Sequence, residues 1–371
     1  MNRLIIIGNG FDLAHGLKTS FKHFIEDYFK NSINEFYKNG IYLGELLEIK
    51  FEESNKWYDN SGIVDEDRVF EEFRELKGAD HIVVNFKSDL LETIYNDFLE
   101  KNWVDIEIVF FLMLKAIKER EDIDKCQSYD TSEDLDKLNK DFDRLKKKLM
   151  KYLIDQQSKF ENNFQNTPLL DCFREQISED EILKVEDFLT QEPENLCFLN
   201  FNYTNTIESY YRVCNSCIPS ELNYIHGSLD GKNGNPIFGF GDEMDKEYLE
   251  FEDLDDKRYF KHIKSFEYSL NQNYHSLMRF IESDDFQVHI YGHSCGLSDR
   301  TMLNKIFEND HCKSIKIFYY GKDIENNDFI DKTYDIYRHF KDKALVRDKL
   351  VSREICRAMP QPYEEYELSK S

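Results

Sequence analysis

The stretch Arg3-Leu4-Ile5-Ile6-Ile7-Gly8-Asn9-Gly10-Phe11-Asp12, residues 3–12, decides the fold class. Four aliphatic residues in a row leave no polar face to turn toward water. A strand that is apolar on both faces belongs inside a parallel sheet covered on both sides. The glycines closing it let backbone approach a phosphate, and a following helix would favour the anion through its N-terminus. A tight turn at a strand end is the other use of such glycines. Gly16 lies further on, but the dinucleotide fingerprint wants its third glycine where this chain has Leu13. An ordinary Rossmann dehydrogenase is therefore not expected.

Outward from this strand, a helix is expected with Thr19 or Ser20 as its cap and Phe21, Phe24, Ile25, Tyr28 and Phe29 on one face. Residues 31–190 read as almost wholly helical. Trp103, Ile106, Phe110, Met113 and Ile117 recur at helical spacing. Leu135, Leu138, Phe142, Leu145 and Leu149 do the same after a capping-box candidate at Thr131 and Asp134. Both rows are packing faces, and the polar stretch 119–132 between them reads as a charged turn. Short apolar strands return at 196–201, 222–226, 236–240, 286–291 and 314–319. Helical stretches lie near 205–213, 256–282, 299–308 and 323–345. Such alternation predicts an α/β fold with a Rossmann-like, mainly parallel sheet and a large α-helical insertion. The expected division is a discontinuous core of 1–30 and 191–345, an insertion of 31–190, and a C-terminal helix with an acidic tail over 346–371. The tail is expected to be loosely held from Pro360.

Composition narrows the partners. The chain has 371 residues, 33% of them charged, and a formal charge of -25. A field of that sign repels phosphate backbones, so direct nucleic-acid binding is not expected. The apolar run 4–7 is far too short to span a bilayer, and no membrane partner is expected. Eight scattered cysteines, several inside apolar runs, read as reduced thiols in a cytoplasm. Cys214-Asn215-Ser216-Cys217 is a single pair ending a helix, where a structural zinc needs four ligands, so no metal is expected.

Four turns fall at the carboxyl ends of expected strands, where open α/β sheets bind ligands. The first is Gly8-Asn9-Gly10 with Asp12. The second is Asn200-Phe201-Asn202-Tyr203-Thr204-Asn205-Thr206, which also suits a helix cap through Thr204 or Asn205. The third is His226-Gly227-Ser228. The fourth is Tyr291-Gly292-His293-Ser294-Cys295-Gly296, which matches the Gly-x-Ser-x-Gly nucleophile elbow. An elbow wants a helix directly behind it, yet Leu297-Ser298-Asp299 reads as a loop and N-cap. A hydrolase also needs a later acid and histidine. His311 and His339 follow, but with one convincing strand. A nucleotide-contacting turn suits the fourth stretch better than a serine hydrolase using Ser294.

These residues together resemble the bacteriophage abortive-infection AbiH family. The resemblance is carried by Leu4 to Leu17, Asn102 to Glu107, Asn200 to Glu208, Ile225-His226-Gly227 and Gly292-His293-Ser294, in that order. The same blocks are similar to a distant sirtuin. Gly8 and Gly10, Asn202, His226-Gly227, and Gly292 with Ser294 take the places of its glycine turn, Asn-Ile-Asp turn, His-Gly pair and Gly-Thr-Ser turn. That resemblance implies a sirtuin-like nucleotide-binding core with Asn202 and His226 as the catalytic pair. It implies ligand contacts from Gly8, Asn9, Gly10, Asp12, Gly227, Gly292, His293 and Ser294. The zinc-ribbon cysteines are absent and Thr204 stands where the sirtuin turn has aspartate. Both departures point away from deacylation and toward defence relatives that cleave NAD to ADP-ribose and nicotinamide. The implied partner is NAD or a related nucleotide, as substrate, with no cofactor required. The alternative on the same fold is a non-catalytic nucleotide-binding sensor. A phage trigger or partner protein is implied but unidentified, and the insertion suits closing over a cleft or forming homo-oligomer contacts. Asp12 and Asp105 read as solvated carboxylates, with the nicotinamide end as their other placing.

Overall fold

The computed structural model describes residues 1–52, 64–101, 105–124, 132–160, 167–183, 191–252, 254, 256–321 and 325–364. Trp103, Cys126, Thr131 and Asn102 to Val104 lie outside them. The strands in chain order are β1 (Asn2–Ile7), β2 (Ile41–Leu43), β3 (Leu47–Phe51), β4 (Ile82–Phe86), β5 (Leu196–Asn200), β6 (Ser220–Tyr224), β7 (Phe286–Tyr291), β8 (Cys312–Tyr319) and β9 (Arg357–Ala358). The chain divides into two compact units. One holds Met1–Lys18, Leu153–Asp253 and Ile263–Ser371; the other holds Thr19–Tyr152 and Leu254–His262.

The first unit is built on a six-stranded sheet in the order β6-β5-β1-β7-β8-β9, with every pair parallel. From β1 the chain winds outward to β6, then returns to the other side of β1 for β7. That is the Rossmann order, and its switch point lies between β1 and β7, where open sheets leave a crevice for ligands. β1 is buried along its whole length, as its sequence requires. Leu4 and Ile6 join the core on one face, Ile5 and Ile7 the core on the other. Each strand residue buries a side chain on alternate faces, so an all-apolar strand stabilises two layers at once.

The second unit holds the helix Phe21–Asn39. Ser20 caps it by accepting from the His23 amide, and Gly40 ends it at φ 71°. The helices Ile106–Asp124 and Ser132–Ser158 bear out the two rows of spaced apolar residues. Residues 119–124 continue the first of these helices rather than forming a turn.

Several expectations need correction. The region 31–190 is not wholly helical: β2, β3 and β4 form an antiparallel sheet there. Its hairpin closes at Gly44, whose amide donates to Leu47 O at 2.9 Å. The alternation Leu47-Glu48-Ile49-Lys50-Phe51 is the period of a half-buried strand. Residues 236–240 are not a strand; Phe240 alone makes a bridge, to Ile263. Pro236 lacks the amide a ladder needs, and Gly239 weakens the run. The stretch 256–282 breaks into short helical pieces, of which Asn273–Ile281 is the longest. The tail is held as far as Tyr363, whose ring packs on Gly16.

Among the described residues no helix is long and apolar enough to cross a membrane.

Candidate functional site

The turns after β1, β5, β6 and β7 share the carboxyl edge of one parallel sheet, because all four strands run the same way. At the switch point the first and fourth turns cross backbone against backbone. Gly10 N donates to Gly292 O at 2.8 Å and Gly8 N to Tyr291 O at 3.0 Å. A Cβ on Gly8 would stand 2.4 Å from His293 Cα, and one on Gly292 only 2.2 Å from Phe11 N. Gly292 also has φ +64°, a conformation that side chains resist. These glycines are therefore explained first by each other: they let two turns touch. Gly292→Ala is expected to destabilise the protein by at least about 2 kcal/mol, combining left-handed strain with overpacking. Urea unfolding measures this, and a loss under about half that would mean that the turns are not in contact.

Asn202 ties the second turn to this crossing. Its amide donates to Gly8 O at 3.0 Å, while its own backbone N donates to Asn200 Oδ1 at 3.1 Å. Asp12 is 1% exposed, not solvated as expected. Thr204 Oγ1 donates to Asp12 Oδ2 at 2.5 Å, so the first and second turns share a buried carboxylate. Thr204 and Asn205 do not cap the next helix, Glu208–Asn215, whose N-cap is Ile207. Asn9 and Gly10 are partly buried and open the helix Asn9–Ala14. His15 is structural: its Nδ1 donates to Phe11 O at 2.7 Å, which leaves Nε2 to accept from Tyr210 at 2.7 Å.

The third turn leads into a buried charge cluster. His226 Nε2 lies 3.2 Å from Asp299 Oδ1 and 3.2 Å from the Tyr268 hydroxyl. Lys264 Nζ meets the same Asp299 oxygen at 2.8 Å, and His293 Nε2 lies 3.7 Å from Oδ2. His293 Nδ1 accepts from Cys295 N at 2.9 Å. The Phe201 ring packs edge-on against both imidazoles, 5.1 Å from His226 and 4.3 Å from His293. Burial alone would raise the Asp299 pKa, but Lys264 with His226 and His293 holds it well below the usual carboxylate range. Burial and then Lys264 push His226 down, against the pull of Asp299. Burial pushes His293 down to about 3. At neutral pH the cluster is thus one ion pair flanked by two neutral imidazoles. Gly227 has φ +76°, and a Cβ there would meet Asn235 O at 2.3 Å, so it serves the turn that presents His226.

Asp299, Lys264 and Tyr268 were not singled out from sequence. Asp299 does occupy the N-cap position before Arg300–Phe307, but its side chain makes no capping bond. It turns inward to Lys264 instead, which position in sequence does not reveal.

Ser294 is exposed on the fourth turn. The left-handed residue there is Cys295, at φ 54°, not Ser294. Behind it comes a 3-10 turn, Leu297–Asp299, before the helix. His339 donates to Cys295 O at 2.8 Å, and His311 pairs with Asp285 ahead of β7, at the opposite edge of the sheet. No nucleophile–base pair forms at Ser294 from these residues. Cys295 is buried, and burial raises its thiol to about 12, which makes it inert. Cys214-Asn215-Ser216-Cys217 ends its helix as expected. Asp105 belongs to the other unit, where it caps Ile106–Asp124 by accepting from the Glu107 and Ile108 amides.

No curated protein and no solved structure matches this chain. One family does: bacteriophage abortive infection AbiH, over residues 4–320. The match spans every turn of the site, from Gly8 through Asn202 and His226 to Ser294. The chain belongs to the bacteriophage abortive infection AbiH family, and with that to phage abortive infection.

Proposed function

We propose that the protein acts in abortive infection by hydrolysing NAD to ADP-ribose and nicotinamide, on a sirtuin-like use of its Rossmann-like core. The observation that carries this reading is the convergence of Gly8–Gly10, Asn202, His226 and Gly292–Ser294 on one carboxyl edge, around the β1/β7 switch point. The diphosphate would lie along the turns of Gly8–Gly10 and Gly292–Ser294, with the Ser294 hydroxyl free to face it. In the reaction the ribose–nitrogen bond breaks and its electron pair goes to nicotinamide, which leaves as a neutral base. Charge develops on the ribose as in glycoside cleavage. Water forms the new bond to carbon, and its proton passes to His226, which is neutral at pH 7 and so able to accept it. Asn202, held against the first turn, orients ribose or water. The balance is NAD and water in, ADP-ribose, nicotinamide and one proton out, with no cofactor.

A second reading is a nucleotide-binding sensor without chemistry. It is favoured by the depth of His226, which is only 5% exposed. One assay separates the two. Purified protein should release nicotinamide from NAD, and His226→Ala should lower the rate by at least about 100-fold. ADP-ribose binding should survive in that variant. Binding without release, with phage lysate present as well as absent, would establish the sensor and overturn the hydrolase.

A further inference from the structure

The Asp299 carboxylate is shared by groups from three separate segments. Lys264 and His226 both address Oδ1, at 2.8 and 3.2 Å, and His293 stands 3.7 Å from Oδ2. The side chains of Lys264, His226, His293 and Asp299 are 1%, 6%, 5% and 11% exposed. An ionised carboxylate can only accept, whereas a neutral imidazole has a single N–H to give. Nε2 has two partners at 3.2 Å: the Asp299 carboxylate, which can only accept, and the Tyr268 hydroxyl, which can donate or accept. A charged acceptor makes roughly twice as strong a bond as a neutral one, so the hydrogen belongs on Nε2. Nδ1 is then bare. When Nδ1 gains a proton, the imidazolium keeps the Asp299 carboxylate on Nε2. The Asp299 contact at Nε2 is therefore kept in both protonation states of the ring.

We propose that Asp299 is a positioning residue for His226: it holds the imidazole as the Nε2–H tautomer and leaves Nδ1 as the atom that takes up a proton. The same logic orients the histidine of hydrolytic triads, where the acid fixes the tautomer and does not itself carry the proton. The other groups around the ring are accounted for. Lys264 keeps Asp299 ionised and opposes protonation of His226. Tyr268 places its hydroxyl 3.2 Å from Nε2, and the Tyr203 ring lies 6.4 Å away. His293 faces the other Asp299 oxygen, with Lys332 donating to its backbone carbonyl at 2.8 Å. The tautomer rests on the contact of Nε2 with the Asp299 carboxylate; that Nδ1 removes a proton from the attacking water rests on the NAD-hydrolase reading.

The test is long-range hydrogen–nitrogen NMR on the full, ligand-free chain with nitrogen-labelled histidine. His226→Gln identifies the signal among the ten histidines. Wild type should show Nε2 protonated and Nδ1 bare above the His226 titration; the reverse pattern overturns the proposal. Titrations of two variants should then move in opposite directions. Asp299→Asn should lower the His226 midpoint, and Lys264→Met should raise it. Midpoints that stay fixed, or that move together, overturn it equally. If the protein turns over NAD, Asp299→Asn should slow nicotinamide release about 100-fold and carry the acid limb of the pH profile downward with the NMR midpoint. Absence of turnover in every variant would remove the hydrolase reading, while the tautomer measured in wild type still decides this one.

Discussion

Lys264→Met is expected to cost about 3–5 kcal/mol of unfolding free energy, because it leaves the Asp299 charge buried without its partner. Lys264 is 1% exposed and its ammonium lies 2.8 Å from Asp299 Oδ1. Its stem packs beside Gly241, where an added Cβ would meet it at 3.4 Å. Methionine keeps most of that packing and removes only the charge, so the loss reports electrostatics rather than a cavity. Burial is the largest force keeping the two histidines neutral, and it remains when the lysine is gone. The double variant Lys264→Met/Asp299→Leu should recover much of the loss, because a buried ion pair exchanged for apolar groups is often neutral or better. Urea unfolding of the four proteins completes the cycle. A single-variant loss under about 1 kcal/mol would show that water reaches Asp299 and that the pair is a surface one.

That pair marks the limit of what the sequence makes legible. The sheet was legible because its strands are chemically distinct: β1 and β7 are buried along their whole length, and glycine turns follow them. The four turns were legible for the same reason, as polar residues stranded after apolar runs. What escaped was long-range. β2 and β3 carry a clear alternation, but only three and five residues of it, next to helices of nineteen. β9 has two residues and pairs only because β8 is already in place. The sheet face that carries Arg3, Gln287 and Lys316 was not read from the sequence. It is a clamp, in which Arg3 donates to the Phe173 and Glu175 carbonyls at 2.9 and 2.8 Å, and Lys316 reaches Glu175 and Glu181 at 2.6 Å each. Asp299 and Lys264 lie 35 residues apart, and nothing local in either segment announces the other.

Stability is expected to fall steeply as the pH drops from about 6.5 toward 4, well before the carboxylates titrate. The cause is the set of buried histidines in the sheet unit. Burial lowers His15 to about 4, His293 to about 3 and His339 to about 4. In the unfolded chain each would take up a proton near pH 6.5, the ordinary value for the group. Between the two values the unfolded state binds more protons, so acid favours unfolding. The stability these groups contribute is fully present above about pH 6.5 and is lost as the pH falls through their folded values. Each can account for at most about 1.4 kcal/mol per pH unit, and three together for about 4. Asp299 works in a different window: its contribution is fully present above the ordinary range for an aspartate and is lost as the pH falls from there toward its depressed folded value. Urea midpoints at pH 7.5 and 5.0 measure the slope. His339→Gln keeps a donor for Cys295 O, which now receives the His339 bond at 2.8 Å, but cannot take up a proton. It should therefore flatten the slope by about one proton while costing little at pH 7.5. Equal midpoints at the two pH values in wild type would mean that water reaches these imidazoles, and that the core around the carboxyl-edge turns is looser than its packing indicates.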